Sequence, residues 1–130
     1  MVKVYKFESD TEENCRIKCL EELDVYNNDI LTKEYEEENT YHMEVVKKSD
    51  VEEYINEILT KTTKDMGVKA RIEISEEDGV FTAKMFSNNN PILIGKEGRT
   101  LKSLQILLRQ ALSNQIKFNV KVNLDASNYK

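Results

Sequence analysis

The sequence is poor in the residues that mark most enzymes, secreted proteins and membrane proteins. Its 130 residues include no tryptophan, one proline, one histidine and two cysteines. The apolar runs are only a few residues long, far short of the roughly 20 residues that a membrane-spanning helix needs. Lysines interrupt the apolar residues at the start of the chain, which is unlike a secretory signal. We therefore expect no membrane insertion and a cytoplasmic location.

The cysteines and the histidine do not form a recognisable chemical site. Cys15 and Cys19 lie four residues apart on a predicted helix with no other Cys or His nearby, and small buried thiols commonly act as core residues. His42 has no partner in view on its predicted strand and is interpreted as structural or surface. The sequence also lacks a nucleophile turn, a His-Glu-x-x-His motif and a P-loop. These absences predict a non-enzymatic protein without a metal or other cofactor.

Charge is distributed unevenly along this acidic chain, whose net charge is −5. Residues 1–48 contain 7 Lys/Arg and 13 Asp/Glu, a net charge of −6. Residues 84–121 contain seven cations and one anion, Glu97, a net charge of +6. Clustered cations are typical of nucleic-acid-binding segments, so the second part of the chain is the predicted binding part.

Residues 1–48 predict a small β-α-β-β domain. Ser9 and Glu12 form a capping-box pattern at the start of a helix whose apolar stripe includes Cys15 and Cys19. Since a core of this size is marginal alone, we expect the domain to pack against the second domain or another chain. The predicted elements are a strand at 2–7, the helix ended by the cluster 27–29, and two strands at 30–35 and 40–46 around an acidic turn at 36–39.

Residues 49–130 predict a second domain with the element order α-β-β-α-α-β. Ser49 opens another capping-box pattern, and Gly67 ends the helix that follows. Asn90 is the predicted N-cap of a very short helix, with Pro91 at its first position. The remaining elements are strands at 68–74 and 80–86 around the turn 77–79, a long helix with apolar positions Leu101, Leu104, Ile106, Leu107, Leu108, Ala111 and Leu112, and a final strand at 118–124.

A Gly-x-x-Gly tetrad, Gly95-Lys96-Glu97-Gly98, lies between the last two predicted helices. Two glycines three positions apart allow the main chain to approach a ligand closely. The N-terminus of the next helix offers N–H groups and a positive dipole end to a phosphate. Such a tetrad also occurs in ordinary turns, but its place in the basic segment favours a nucleic-acid site.

The element order and the tetrad together resemble the type II KH domain of bacterial RNA-binding proteins, and several local sequences narrow the resemblance to the Jag family. The expected fold is α+β: a Jag-like N-terminal domain (1–48) and a type II KH domain (49–130) with a three-stranded sheet and helices on one face. Over the first domain the resemblance rests on element order. The segments that carry it are Met66-Gly67, 76–79, 93–105 and 122–130.

The chain departs from the Jag pattern in three places. Family members usually continue into a further domain marked by an Arg-x-x-x-His motif, so this sequence either stops short of that domain or belongs to a member without it. The acidic turn replaces a Lys-Gly-Phe-Leu-Gly-like loop, and is either a solvated turn or a feature that deters RNA. Glu97 stands where a basic or small residue is usual, and its carboxylate opposes a phosphate.

The resemblance implies a non-enzymatic protein that binds single-stranded RNA and acts as a post-transcriptional regulator linked to cell elongation and division. A second small KH protein or a second copy of the chain is the expected protein partner. The rival interpretation is a KH-like scaffold for protein contacts and dimerisation, with little RNA affinity.

KH domains hold about four nucleotides largely through backbone contacts. In this sequence the glycines would admit the backbone, the cations would reach phosphates, and apolar side chains would lie under the bases. The predicted RNA-binding residues are Ile92, Ile94, Gly95, Lys96, Glu97, Gly98, Arg99, Leu101 and Lys102, with Met85 or Phe86 as additions from the neighbouring strand. Few aromatics are placed for stacking, so we expect modest, salt-dependent affinity.

Overall fold

The computed structural model describes residues 1–118 and 120–126, which form two three-stranded sheets with accompanying helices. The predicted α+β class is confirmed. Contacts within the chain divide it into two compact units, Met1–Val51 and Glu52–Lys130. The predicted domain boundary after residue 48 lies close to this division and stays a prediction. In the described residues, no helix is long and apolar enough to cross a membrane.

The first unit is an antiparallel sheet in the order β1-β3-β2, with a helix against one face. Helix α1 contacts strands β1 and β3. Its two cysteines are fully buried in one cluster with Phe7, Met43 and Val45, which confirms their predicted role in the core. The elements are β1 (Tyr5–Ser9), α1 (Glu12–Leu23), β2 (Ile30–Glu37) and β3 (Thr40–Lys47).

The ends of α1 differ from the prediction. Thr11, not Ser9, is the N-cap, because the Thr11 hydroxyl accepts a hydrogen bond from the Asn14 N–H at 3.1 Å. The helix ends earlier than predicted, with Asp24 in the left-handed conformation. The cluster Asn27–Asp29 forms a separate 3-10 turn before β2.

The strands of the first unit also shift slightly. β1 begins at Tyr5 rather than at residue 2, because its pairing with β3 starts at Tyr5 opposite Val45. The hairpin between β2 and β3 turns through two residues, Glu38 and Asn39, both with positive φ. The flanking strands are therefore longer than predicted, since two-residue turns of this kind continue the ladder up to the turn.

The second unit contains the sheet order β4-β5-β6, in which β4 and β5 are antiparallel and β5 and β6 are parallel. The predicted order α-β-β-α-α-β is confirmed. Parallel neighbours need a crossover connection, and the two helices between β5 and β6 supply it. The elements are α2 (Lys48–Asp65), β4 (Ala70–Glu77), β5 (Val80–Ser87), α3 (Asn90–Ile94), α4 (Arg99–Gln115) and β6 (Lys121–Ala126).

One face of this sheet and one stripe of α4 are buried. Side chains on β5 and β6 alternate between buried and more exposed positions, as one-sided burial requires. Helix α4 contacts β6, and its buried leucines recur every three or four residues. The fully or nearly fully buried members of these elements are Phe81, Ala83, Met85, Leu104, Leu108, Leu112, Val122, Leu124 and Ala126.

Several boundaries in the second unit are corrected. α2 begins at Lys48, directly after β3, so Ser49 lies inside the helix and is not its N-cap. The N-cap of α3 is Asn89, whose side chain accepts from the Ile92 N–H, and not Asn90. β6 covers 121–126 instead of 118–124. Of the predicted or matched residues, Asn119 and 127–130 lie outside the described residues.

Two apolar residues predicted for the buried stripe of α4 face outward. Ile106 is 56% exposed and Leu107 is 48% exposed. An α-helix advances 100° per residue. When Leu104 and Leu108 face the core, Ile106 therefore points to the opposite side of the helix and Leu107 lies at the border of the buried stripe. Sequence hydrophobicity alone did not distinguish these positions.

Candidate nucleic-acid interface

Both glycines of the tetrad adopt backbone conformations that favour glycine. Gly95 has φ 76° and ψ 175°, in a region populated almost only by glycine. A Cβ atom at Gly95 would overlap the side chain of Thr100 and lie 2.9 Å from the Thr100 backbone nitrogen. Gly98 is left-handed, with φ 74° and ψ 15°, and is buried. The tetrad geometry therefore depends on residues without side chains.

The tetrad forms a compact turn in which two backbone N–H groups have no backbone acceptor. The Gly95 N–H donates to the Pro91 carbonyl at 3.1 Å, and the Gly98 N–H donates to the Gly95 carbonyl at 3.2 Å. Within the described part of the chain, the N–H groups of Lys96 and Glu97 donate to no backbone carbonyl. Both residues are exposed. The turn thus combines an exposed lysine with two backbone donors that no backbone carbonyl of the described residues satisfies.

Glu97 occupies a left-handed position, with φ 56° and ψ 28°. Non-glycine residues adopt this conformation uncommonly, and the side chain is exposed beside the backbone donors. Its negative charge lowers the attraction of the turn for an anion. The backbone geometry, however, suits asparagine as well as glutamate.

Helix α4 begins immediately after the tetrad, without a side-chain cap at Gly98. The Arg99 N–H donates to the Lys96 carbonyl, and the positive dipole end of α4 lies next to the turn. Arg99 and Lys102 are exposed in this first turn. Neither of them, nor Lys96, forms an ion pair with another described residue. Their charges are available to a ligand.

The predicted apolar residues around the tetrad divide into exposed and supporting ones. Ile92 is 47% exposed, and Ile94 is half-buried. Leu101 is 9% exposed and therefore supports the helix more than it contacts solvent. Leu93, which was not predicted for the site, is fully buried and anchors α3.

The two additions predicted from β5 lie on opposite faces of the sheet. Met85 is fully buried in the core. Phe86 points to the opposite face of the sheet, where the guanidinium of Arg71 lies 4.6 Å from its ring centre. Alternation along a strand explains both outcomes, because successive side chains point to opposite faces.

Two polar side chains of α4 that were missed in the sequence join the helix to the outer edge of β6. The side-chain oxygen of Gln105 accepts from the Leu124 N–H at 3.2 Å, and the Arg109 Nε donates to the Val122 carbonyl at 3.4 Å. The sequence contained one signal for these contacts. Gln105 and Arg109 lie four residues apart on one face of the helix, and Val122 and Leu124 lie two residues apart on the strand. These two hydrogen bonds satisfy backbone groups on the outer edge of β6.

The first unit contains a polar cluster of its own around Glu34. Its carboxylate accepts hydrogen bonds from Arg16 at 2.9 Å, from the Thr32 hydroxyl at 2.7 Å and from the Tyr41 hydroxyl at 2.8 Å. Although burial alone would raise the pKa of Glu34, these hydrogen bonds and the Arg16 charge lower it below the ordinary value. The bond to Glu34 raises the pKa of Tyr41 to about 12.

His42 has neighbours on both sides across the first sheet, although none was visible in the sequence. Its ring stacks on Tyr35, with centroids 4.9 Å apart, and its Nδ1 lies 3.7 Å from a Glu8 carboxylate oxygen. Both neighbours stand opposite His42 in the strand register. The histidine is therefore a cross-strand surface residue, as its interpretation as structural or surface anticipated. In the described residues, no group of three or more His, Cys, Asp or Glu could hold a metal ion.

The sequence profile of the family described as KhpA/KhpB, KH domain matches residues 48–124. The chain belongs to this KH family. A similar protein is the RNA-binding protein KhpB of Clostridium symbiosum, which is 32% identical over 66 residues. That match covers 51% of this chain and 30% of the relative, so it spans less than a third of the relative's length.

Membership of the KhpA/KhpB KH family confirms the Jag-type resemblance. The matched region contains both helices that flank the tetrad, strands β4 and β5, and the first four residues of β6. It begins at the first residue of α2, so the first unit's sheet lies outside it.

Proposed function

We propose that this protein binds single-stranded RNA, without catalysis, through the Gly95–Gly98 tetrad of its KH domain. The observation that carries the proposal is the pair of N–H groups without a backbone acceptor at the exposed residues Lys96 and Glu97, which lie between two glycines with positive φ. Membership of the KH family and the RNA-binding KhpB relative support the choice of ligand.

In the proposed complex, the RNA backbone crosses the tetrad and the start of α4. The two N–H groups and Lys96 contact one phosphate, while Arg99 and Lys102 contact its neighbours. Ile92 and Ile94 provide an apolar surface for bases. Most of these contacts involve the RNA backbone, which carries no sequence information, so sequence preference is weak.

We further propose that the protein acts in the cytoplasm as a post-transcriptional regulator linked to cell elongation and division. The Jag resemblance supports this role. A second small KH protein is the proposed additional partner. The three exposed cations at the tetrad and the start of α4 give only modest affinity for RNA on their own.

The proposed site is tested with the double variant Lys96→Asp/Glu97→Asp. Replacing the glycines is unsuitable, because a side chain at Gly95 would collide with Thr100. The two exposed central residues can change without such a collision, and aspartate tolerates the left-handed position of Glu97. Fluorescence anisotropy with a labelled single-stranded RNA pool should show at least a 30-fold loss of affinity at low salt.

The matched control is Glu57→Asp/Lys61→Asp, which makes the same charge change on exposed positions of α2. It should retain affinity within about twofold. For the parent, three neutralised phosphates predict a slope of about −2 in log K against log salt, from roughly −0.7 per phosphate on single strands. If the tetrad variant binds RNA as tightly as the parent, the RNA site lies elsewhere. If the parent shows no salt-sensitive RNA binding, the protein is better explained as a KH-like scaffold for protein contacts.

A further inference from the structure

A cationic cavity lies where helix α2 ends and strand β4 begins. Its volume is about 420 Å³, and its lining includes Thr60 of α2 and the apolar residues Val68 and Ala70. The charged residues of the lining are Lys64 and Lys69, and no Asp or Glu in the described part of the chain lines it. The cavity therefore combines apolar surface with two cations.

Both lysines of the cavity are available to an external anion. They are exposed, and neither forms an ion pair with another described residue. A lysine near the end of a helix often bonds to its last carbonyls, but here backbone donors already do so. The Thr63 carbonyl accepts from the Val68 N–H at 2.9 Å, and the Lys64 carbonyl accepts from the Gly67 N–H at 3.0 Å. The end of α2 therefore does not need the lysine side chains.

The cavity continues into the outer edge of β4, which is paired only with β5. The Lys69 carbonyl accepts from the Asn88 N–H, and the Lys69 N–H donates to the Asn88 side chain, so the backbone groups of Lys69 face the β5 side. These directions alternate along an antiparallel strand. In the described residues, the N–H and carbonyl groups of Ala70, Ile72 and Ile74 therefore face away from β5 and have no strand partner.

The isoleucines at this edge are incompletely covered. Ile72 and Ile74 are half-buried, whereas their register partners Met85 and Ala83 on β5 are fully buried. Residues that stand opposite each other on neighbouring strands point to the same face. Apolar side chains of an added strand would therefore cover both isoleucines.

The charges beside the edge define which strand fits. Arg71 follows Lys69 at the cavity end of β4, and Glu73 is the next residue on the same face of the strand. A complementary strand therefore has acidic residues near Lys69 and Arg71 and a basic residue near Glu73, because opposite charges across a strand pair attract. The residues between them are apolar, since they stand over the isoleucines.

We propose that the cavity and the β4 edge bind an extended acidic segment of another protein as an added antiparallel strand. Acidic residues of the segment contact Lys64, Lys69 and Arg71, and its alternating apolar residues cover Ile72 and Ile74. Backbone hydrogen bonds supply affinity, and the charges select the sequence of the segment. The contact is one strand wide and therefore weak. It does not depend on RNA binding at the tetrad.

The first test uses the labelled, capped peptide Thr-Val-Lys-Val-Glu-Val-Glu, which places its acidic end at the cavity in the antiparallel register. The matched control peptide, Thr-Val-Glu-Val-Lys-Val-Lys, reverses every charge. Fluorescence anisotropy with the full chain at up to about 1 mM should show at least fivefold tighter binding of the acidic peptide. Because the net charge of the chain is −5, general attraction would favour the control. Equal binding, no binding or preference for the control would overturn the proposal.

Paired variants locate the binding. Lys64→Glu/Lys69→Glu should weaken binding of the acidic peptide about fivefold or more, while its circular dichroism and RNA affinity stay close to those of the parent. The matched control Lys18→Glu/Lys33→Glu makes the same charge change on exposed residues of the first unit and should bind the peptide like the parent. If the cavity variant binds like the parent, or if the tetrad variant Lys96→Asp/Glu97→Asp loses the peptide, the proposed location is wrong.

Amide hydrogen exchange followed by NMR tests the added strand itself. The acidic peptide should slow exchange at Ala70, Ile72 and Ile74 in proportion to the bound fraction, and exchange at Arg71 and Glu73, which face β5, should change little. Uniform slowing along β4, or none, would contradict strand addition. Slow exchange at the same three amides in the concentrated protein without peptide would show that a second copy occupies the edge, and would also overturn the proposal.

Discussion

The two units use three strands each but connect them differently, and the connection determines which unit contains the proposed RNA-binding loop. In the first unit, all neighbouring strands are antiparallel, and a two-residue turn suffices between β2 and β3. In the second, β5 and β6 are parallel and need a long crossover. That crossover is the helix pair α3 and α4, and the tetrad is the turn between them.

The units also differ in how they treat charge. The first unit neutralises a carboxylate internally, at Glu34, with three donors from its own side chains. The second leaves Lys96, Arg99 and Lys102 exposed and without described ion partners. A satisfied network stabilises the fold, whereas exposed like charges near a turn remain available to an external partner. The Glu34 cluster thus stabilises the first unit, and the three exposed cations of the second unit are those that the proposed RNA site uses.

The largest expected effect comes from Gly95→Ala in the second unit. The variant combines a conformation that only glycine adopts readily with a collision at Thr100, so unfolding should become easier by ~3 kcal/mol. Gly67→Ala is the matched control, because Gly67 also has positive φ, but a Cβ there would meet nothing within 4 Å. It should cost ~1 kcal/mol. Urea unfolding followed by circular dichroism measures both, and equal losses would contradict the special geometry of the tetrad.

The next effect comes from Glu34→Gln in the first unit. Losing the charge weakens the hydrogen bonds from Arg16, Thr32 and Tyr41, at an expected cost of about 1–2 kcal/mol in unfolding free energy at pH 7. Because folding lowers the pKa of Glu34 from 4.5, its contribution is complete above that pH and is lost as pH falls through the folded value. The urea midpoint of the variant should not show this loss of stability at low pH. If the urea midpoints of the variant and the parent depend on pH in the same way, the charge of Glu34 does not stabilise the first unit.

The smallest effect comes from Glu97→Asn in the tetrad. Asparagine keeps the left-handed conformation and removes the anion beside the backbone donors that we propose contact a phosphate. RNA affinity should rise about 3- to 5-fold at low salt, and the gain should shrink as salt screens the charge. The control Glu57→Gln removes the same charge on α2 and should leave affinity unchanged. If both variants gain equally, Glu97 acts only through the net charge of the chain.

The sequence was sufficient for the element order of both units and for the position of the tetrad. Periodicity identified the strands and long helices because each has one buried face. The boundaries failed where a neighbouring polar residue could cap equally well, as with Thr11 in place of Ser9 and Asn89 in place of Asn90. Capping depends on a backbone angle that local sequence does not specify.

For the site, the sequence identified which residues surround the tetrad but not how accessible each one is. The exposed cations were predictable from composition and helical position. The burial of Leu101 and Met85, and the exposure of Ile106, depend on which stripe of α4 and which face of β5 meet the core. The attachment of Gln105 and Arg109 to β6 depends on tertiary placement of a helix against a strand. Such long-range pairings have no local signature.

Both cysteines of the chain lie in α1 of the first unit, where they are fully buried and burial raises their pKa. Only a thiolate that reaches solvent reacts readily with a disulfide reagent. The rate of thiol labelling therefore measures how often the first unit opens, while the second unit contributes no signal. One kinetic measurement on the unmodified chain can thus follow the opening of one half of the protein in the presence of a ligand bound to the other.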